Sequence, residues 1–312
     1  MAAGGHCEPA LVEERIVVPV PMNKMNPKEI LLLGCGDIGT ELGLRLQRKG
    51  NTVAALCRNP GKLPASLEPV AADYTDPEQL APLHDRVFDI AVMTPTPATF
   101  DEAGYRAGFL VPVENLLQLW SDGPRRSLVF VSSTRVYGDH GGDWVTESSE
   151  LHPADAQARC IAEAEARLLD SRHDVTVVRF AGIYGRQPSA LLRRLAAGEV
   201  CAAAPARYSN RIHREDCIGF LEHLLSLSRR QSLYLAADSE PVLQRELEDW
   251  LLAQLGVAAR CEVPVRGTAN RRCDNSRLLD SGYRLRYPDF RAGYSAMMTS
   301  TSISADLGNA AT

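Results

Sequence analysis

The sequence predicts an α/β fold: a doubly wound parallel sheet with helices on both faces, then a smaller C-terminal lobe. Short, continuously apolar runs recur along the chain and alternate with stretches of helical period. Continuous rather than alternating hydrophobicity marks strands buried on both faces. A glycine cluster also follows the first apolar run directly and opens an amphipathic stretch.

The first strand is Ile30–Leu33, and Thr40–Lys49 follows as a helix with Leu42, Gly43 and Leu46 at helical spacing. Thr52–Leu56 and Val70–Ala72 read as the second and third strands. Asp89–Met93 is the fourth, ending in the turn-rich Thr94-Pro95-Thr96-Pro97. Ala103–Leu119 is a helix and Ser127–Val131 the fifth strand. Ala154–Leu169 is a helix with Ile161, Ala164 and Leu168 on one stripe, and Val175–Arg179 is the sixth strand. Beyond Gly182 the rhythm loosens: helical pieces at Pro188–Ala197, Glu215–Leu227 and Arg245–Leu255 mix with short strands such as Ser232–Ala236. The expected organisation is a flexible leader at 1–27, a main domain at 28–182 with strand returns from the C-terminal half, a lobe at 183–297 and a disordered tail at 298–312. Met22 or Met25 is a candidate true start, since the first strong strand follows at once.

The 312 residues are 45% hydrophobic and 23% charged, as expected of a globular enzyme-like protein. With 34 Lys+Arg against 39 Asp+Glu the net charge is −5, which argues against a dedicated nucleic-acid binder. No apolar run approaches the roughly 18 residues that span a bilayer. Glu8, Glu13, Glu14 and Arg15 stand where a signal peptide needs an apolar core, so a cytoplasmic location is expected. The eight cysteines include no CxxC pair and read as reduced thiols, with no metal site.

Gly34-Cys-Gly36-Asp37-Ile38-Gly39 is a GxGxxG with a strand before it and a helix after it. Gly34 permits the tight turn, Gly36 lets the backbone approach a pyrophosphate, and Gly39 lets the helix pack close to the sheet. The helix end, with Asp37 and Ile38 in its first turn, offers free N–H groups and a partial positive charge to phosphates. The motif predicts a Rossmann-type dinucleotide-binding domain; the other reading is a glycine turn with no ligand. Arg58 ends the second strand, nineteen residues after Gly39. An acid there would accept the ribose of NAD, whereas an arginine attracts a 2′-phosphate, so NADP is expected and NAD stays possible. The other reading of Arg58 is a solvated surface arginine. Asp73 after the third strand is a candidate adenine contact or a turn residue, with Asp76 the better helix cap. Thr94, at the end of the fourth strand, is a further candidate cofactor contact. Cys35 is either a thiol activated by the helix end or packing beneath the turn.

Val129-Phe-Val-Ser-Ser-Thr-Arg-Val-Tyr-Gly138 resembles the fifth-strand motif of the extended short-chain dehydrogenases/reductases, the NAD-dependent epimerase/dehydratase group. Glu147 and Pro153, Arg179-Phe-Ala-Gly-Ile-Tyr-Gly185, Asn210-Arg-Ile-His-Arg-Glu-Asp216 and Asn275-Ser-Arg-Leu-Leu-Asp-Ser-Gly-Tyr283 continue the resemblance in order. It covers the chain from about Lys28 to Ala296. The glycine loop departs from the GxxGxxG usual in extended members. The family's catalytic helix normally carries Tyr-x-x-x-Lys with an acid four residues after the lysine. Aligning that acid with Glu163 puts Asp155 at the tyrosine position and Arg159 at the lysine position. Ser133 matches the catalytic serine. The chain therefore resembles the atypical subgroup.

The resemblance implies a catalytic set of Ser133, Asp155 and Arg159, with Tyr137 as a further acid/base candidate or a structural residue. Asp155 and Arg159 are otherwise a surface ion pair, being four apart on one helix. Arg211 is a candidate substrate-anion ligand or a salt bridge to Asp216 or Glu215. His213 is a candidate for proton transfer or for support of the substrate lobe. Tyr184 and His140 are ambiguous in the same way. The expected function is an NAD(P)-dependent oxidoreductase or epimerase-like enzyme acting on a small polar or sugar-like substrate. A catalytically impaired NADP sensor or scaffold is the competing reading. Family members commonly dimerise through the helices after the fourth and fifth strands, so a homodimer is open here.

Overall fold

A computed structural model describes residues 27–187, 189–265 and 269–299. The expected leader and tail fall outside the described residues, apart from Pro27, Met298 and Thr299. Seven strands form one sheet: β1 (Glu29–Leu33), β2 (Thr52–Cys57), β3 (Glu68–Ala71), β4 (Ile90–Met93), β5 (Ser127–Ser133), β6 (Asp174–Phe180) and β7 (Leu233–Ala236). Their order is β7-β6-β5-β4-β1-β2-β3, with every pairing parallel. The chain winds outward from β1 in one direction, then crosses back to β4. Ligands of such sheets bind outside the carboxyl ends at that reversal, here between β1 and β4.

Ile30 through Leu33 are each at most 1% exposed, which explains their unbroken apolar run. The helices of the main domain include α1 (Asp37–Arg48), α2 (Glu102–Tyr105), α3 (Val111–Leu119) and α4 (Ala156–Leu169). The predicted Ala103–Leu119 helix is continuous through α2 and α3 but widens into a π turn at Arg106–Leu110. Pro112 follows that turn and has no N–H to give the Gly108 carbonyl, which accounts for the interruption. The third strand lies at Glu68–Ala71 rather than Val70–Ala72. It is an edge strand, where Pro69 is tolerated because its missing N–H is not needed by a neighbour.

The smaller lobe contributes α5 (Ala190–Ala196), α7 (Gln244–Leu255) and α8 (Phe290–Thr299) around a second core that includes Tyr184, Leu195, Leu247, Leu251, Phe290 and Tyr294. Between them in sequence, α6 (Arg214–Ser226) packs against α1. The strand predicted near Ser232–Ala236 does not belong to that lobe; as β7 it extends the main sheet beside β6. No helix among the described residues is long and apolar enough to cross a membrane.

Candidate cofactor and active site

The glycine loop joins β1 to α1 at the reversal of strand order. Gly34 has φ +94°, and a Cβ there would lie 2.7 Å from the Thr94 carbonyl oxygen. At Gly39 a Cβ would meet the Gly34 carbonyl oxygen at 2.3 Å. Both positions require glycine for the fold itself. Gly36 differs: its φ is −75°, and a Cβ there would have nothing within 4 Å. The backbone at Gly36 is therefore bare toward open space, although no neighbour demands it. Gly36 caps α1 without a side-chain hydrogen bond, so the first-turn N–H groups of Asp37, Ile38 and Gly39 lack helical partners.

Thr94 braces this loop. Its hydroxyl donates to the Gly34 carbonyl at 2.5 Å and its N–H to Leu33 at 2.9 Å. Ile38 is half-buried against the main core. Asp37 is held by Arg214, with Nε on Oδ2 at 2.7 Å and Nη2 on Oδ1 at 3.0 Å.

A cavity of about 510 Å³ runs from the glycine loop past the end of β2, bordered by Gly34, Gly36, Arg58, Asp73, Tyr74 and Thr94. Arg58 is exposed and makes no hydrogen bond or close ion pair among the described residues. Asp73 Oδ1 accepts from the Thr75 N–H at 2.9 Å and hydroxyl at 2.7 Å. Burial works against ionisation of Asp73, but these two hydrogen bonds and the nearby Arg58 outweigh it and hold the carboxyl below its ordinary range. Asp76 caps the following short helix through Glu78 N–H at 3.0 Å, leaving Asp73 on the cavity wall. Tyr74 stands beside it with its phenol raised, mainly by burial. Sequence reasoning missed Tyr74, whose only signal was adjacency to Asp73. Burial pushes the Cys35 thiol up to about 12, which works against a thiolate there rather than activating one.

The other predicted site residues separate. Ser133 ends β5, and its Oγ accepts the Arg135 N–H at 3.2 Å. Asp155 lies just outside α4 as its N-cap, taking the Ala158 N–H at 2.7 Å. Its carboxylate pairs with Arg135 at 2.7 Å, not with Arg159. A cap turns its side chain back toward the helix end, away from the residue four positions on. Arg135 holds the Asp155 carboxyl below its ordinary range. Arg159 is exposed on the outer face of α4. Ser133, Arg135 and Asp155 thus form one linked cluster at the end of β5, and Arg135 is a member the sequence reading did not include.

Tyr137 is fully buried, with the Arg179 guanidinium 4.8 Å from its ring, and burial pushes its phenol up to about 12. The ring is thus enclosed in the core. His213 caps α6, its Nδ1 accepting the Glu215 N–H at 3.2 Å. It is pressed against Tyr287 at 4.0 Å and Tyr184 at 5.1 Å, and burial lowers it to about 4. Burial between these rings thus favours the neutral imidazole. Tyr184 is buried and stacked on Tyr294 at 4.5 Å. His140 stacks on His152 at 4.5 Å. Arg211 does not bridge to Asp216 or Glu215. Asp216 is taken by the N–H groups of Arg286 (2.7 Å) and Tyr287 (3.0 Å), and Glu215 by Arg45 and Arg214. The Arg211 guanidinium sits 5.9 Å from the Tyr294 ring. It lies close enough to Asp238 to favour the ionised form of that carboxyl. No cluster among the described residues could hold a metal ion.

The inward-facing acid of α4 is Glu165, not Glu163. Glu165 is 1% exposed and grips Arg179 through two arms, at 2.6 and 3.1 Å, while also accepting from Ser132. Glu163 faces solvent and pairs with Arg167 at 2.7 Å.

Asp238 supplies a pH prediction. Its side chain is buried, one oxygen has no partner among the described residues, and burial raises it to about 8. A carboxyl raised on folding stabilises below its unfolded value and loses that contribution as pH rises toward the folded value. Asp238→Asn is expected to gain about 1 kcal/mol or more over the native chain at pH 8, a few degrees in Tm, with the gain shrinking steadily as pH falls and becoming small only near pH 4. Thermal unfolding across that range checks it; a constant difference would contradict it.

No sequence-family model matches the chain, and no curated protein matches it. Among solved structures, a Methylobacillus flagellatus protein assigned to the NAD-dependent epimerases/dehydratases is 32% identical, with TM-score 0.71, over 87% of this chain and 97% of that one. The chain belongs to the NAD-dependent epimerase/dehydratase family. Two further solved structures share the fold at lower identity. Bordetella bronchiseptica WbmG, solved with NAD and UDP, is 19% identical with TM-score 0.73 over 89% of this chain and 94% of that one. DesIV, a dTDP-glucose 4,6-dehydratase of Streptomyces venezuelae solved with NAD and TYD, is 22% identical with TM-score 0.70 over 86% and 95%.

Proposed function

We propose that the chain is an NAD(P)-dependent enzyme of epimerase/dehydratase type, with a nicotinamide dinucleotide seated across the carboxyl ends of β1, β2 and β4. The observation that carries this reading is Gly36: it is bare toward open space, and the fold does not require glycine there. A pyrophosphate approaching the backbone is what does require it. In this reading Gly34, Gly36 and the first-turn N–H groups of Asp37, Ile38 and Gly39 hold the pyrophosphate, Thr94 keeps the loop in shape, and Asp73 faces the adenine. The NAD bound to WbmG and DesIV supports a nicotinamide cofactor, and the UDP of WbmG and the dTDP-glucose dehydratase name of DesIV support a nucleotide-linked, sugar-like substrate.

When bound, the nicotinamide supplies hydride transfer. The chain's own contribution differs from the family pattern. Anchoring the helix on Glu165 puts Gln157 at the tyrosine position and Ile161 at the lysine position. Neither can act as an acid or a base near neutral pH. The four lysines, Lys24, Lys28, Lys49 and Lys62, all precede the fourth strand. Ser133 is then the surviving member of the set, and its hydroxyl hydrogen-bonds the reacting oxygen of the substrate. Arg135 and Asp155 shape the mouth beside it. Asp155, held ionised by Arg135, is no proton donor at neutral pH. Arg211 serves a substrate phosphate from the lobe side.

Arg58 supports a preference for NADP, because an exposed guanidinium on the cavity wall attracts a 2′-phosphate. Arg58→Asp is expected to shift the NADPH-to-NADH affinity ratio at least about tenfold toward NADH. Titration of both nucleotides into both proteins checks it; an unchanged ratio removes Arg58 from the site.

A further inference from the structure

We propose that Arg214 is a positioning residue for the cofactor: it neutralises Asp37 at the amino end of α1, so that the helix end can accept a pyrophosphate. This rests on the cofactor reading above. Asp37 is the first residue of α1, directly after Gly36. A carboxylate there suits the helix dipole. The same helix end is what a bound pyrophosphate would use, so an unscreened Asp37 would oppose the ligand electrostatically.

Arg214 removes that conflict. Its guanidinium forks onto both Asp37 oxygens, at 2.7 and 3.0 Å, in the geometry that makes arginine–carboxylate pairs strong and directional. The pair is partly shielded, with side-chain exposures of 19% for Arg214 and 35% for Asp37. Arg214 is itself fixed. Its other arm holds Glu215 at 2.6 Å, Glu215 holds Arg45 at 2.5 Å, and Arg45 returns to Glu41 of α1 at 3.0 Å. It also follows His213 directly. The segment Arg211–His213 pairs with Gly182–Tyr184 on the lobe side, so Arg214 ties the glycine loop to the segment that carries Arg211.

Charge arithmetic makes this testable. The Asp37–Arg214 pair is neutral in the native chain, negative in Arg214→Ala, positive in Asp37→Asn and neutral again in the double variant. NADPH titration calorimetry on the four full-length proteins, with thermal unfolding alongside, should show Arg214→Ala about tenfold weaker in binding. Asp37→Asn should bind severalfold tighter, and the double variant should return to within about twofold of native. The differences should shrink at high salt. Arg214→Ala binding as the native chain does, or a double variant as weak as Arg214→Ala, overturns the proposal; the second result would mean that Arg214 acts by another route. If the native chain binds no nicotinamide nucleotide, the cofactor reading fails and this inference falls with it, a result distinct from the other two. A role confined to holding α1 and α6 together would lower Tm without this pattern of affinities.

Discussion

Gly36→Asp is expected to weaken binding of nicotinamide nucleotides at least about a hundredfold, with thermal stability unchanged or slightly raised. The two halves of this result have separate causes. The fold tolerates the substitution because Gly36 has φ −75° and nothing within 4 Å of a Cβ. Its place is the N-cap of α1, where aspartate is among the preferred residues and glycine is not superior. Binding suffers because a carboxylate would then project into the space that a pyrophosphate must enter. Like charges held together in a partly enclosed site cost several kcal/mol. Gly34→Ala and Gly39→Ala do not make this distinction, since both drive a Cβ into backbone. Calorimetric titration together with thermal unfolding reads both halves. A variant that unfolds would contradict the account of the loop, and one that binds normally would contradict its role.

Glu165→Ala is expected to cost about 3–5 kcal/mol of folding stability, whereas Glu163→Ala should stay within about 0.5 kcal/mol of native. The two acids are two residues apart on α4, yet their surroundings are opposite. Removing Glu165 strands the Arg179 guanidinium, which is 4% exposed and sits under Tyr137 without another carboxylate in contact among the described residues. Removing Glu163 releases a solvent-facing pair with Arg167 that contributes little. Denaturant midpoints for the two variants measure the contrast. Equal effects would mean that the inward and outward faces of α4 have been misassigned.

The elements that the sequence made legible are those where one physical cause dominates. Ile30–Leu33 is a buried central strand because nothing but apolar side chains fits there. The glycine loop is legible because its spacing, strand and helix all point to the same turn. The family motifs were legible in the same way and carried the fold and the family. The active-site helix was harder. Its stripe of Ile161, Ala164 and Leu168 already contains position 165, four after Ile161, so the burial of Glu165 had a signal in the periodicity. A buried acid runs against the usual polar-out rule, and Arg179, its partner, lies on a different strand. For Tyr137 and His213 the sequence left a proton-transfer role and a supporting role both open, and the packing of Arg179 on Tyr137, and of Tyr184 and Tyr287 on His213, shows both rings enclosed. Arg135 was passed over because its link to Asp155 spans twenty residues. The Asp37–Arg214 pair, 177 residues apart, has no local signature at all.

The most direct test of the central claim is calorimetric titration of the native full-length protein with NADPH and with NADH. The account predicts saturable one-to-one binding of NADPH, tighter than NADH, with both lost in Gly36→Asp. Failure of the native protein to bind either nucleotide, or binding that survives Gly36→Asp unchanged, would contradict it.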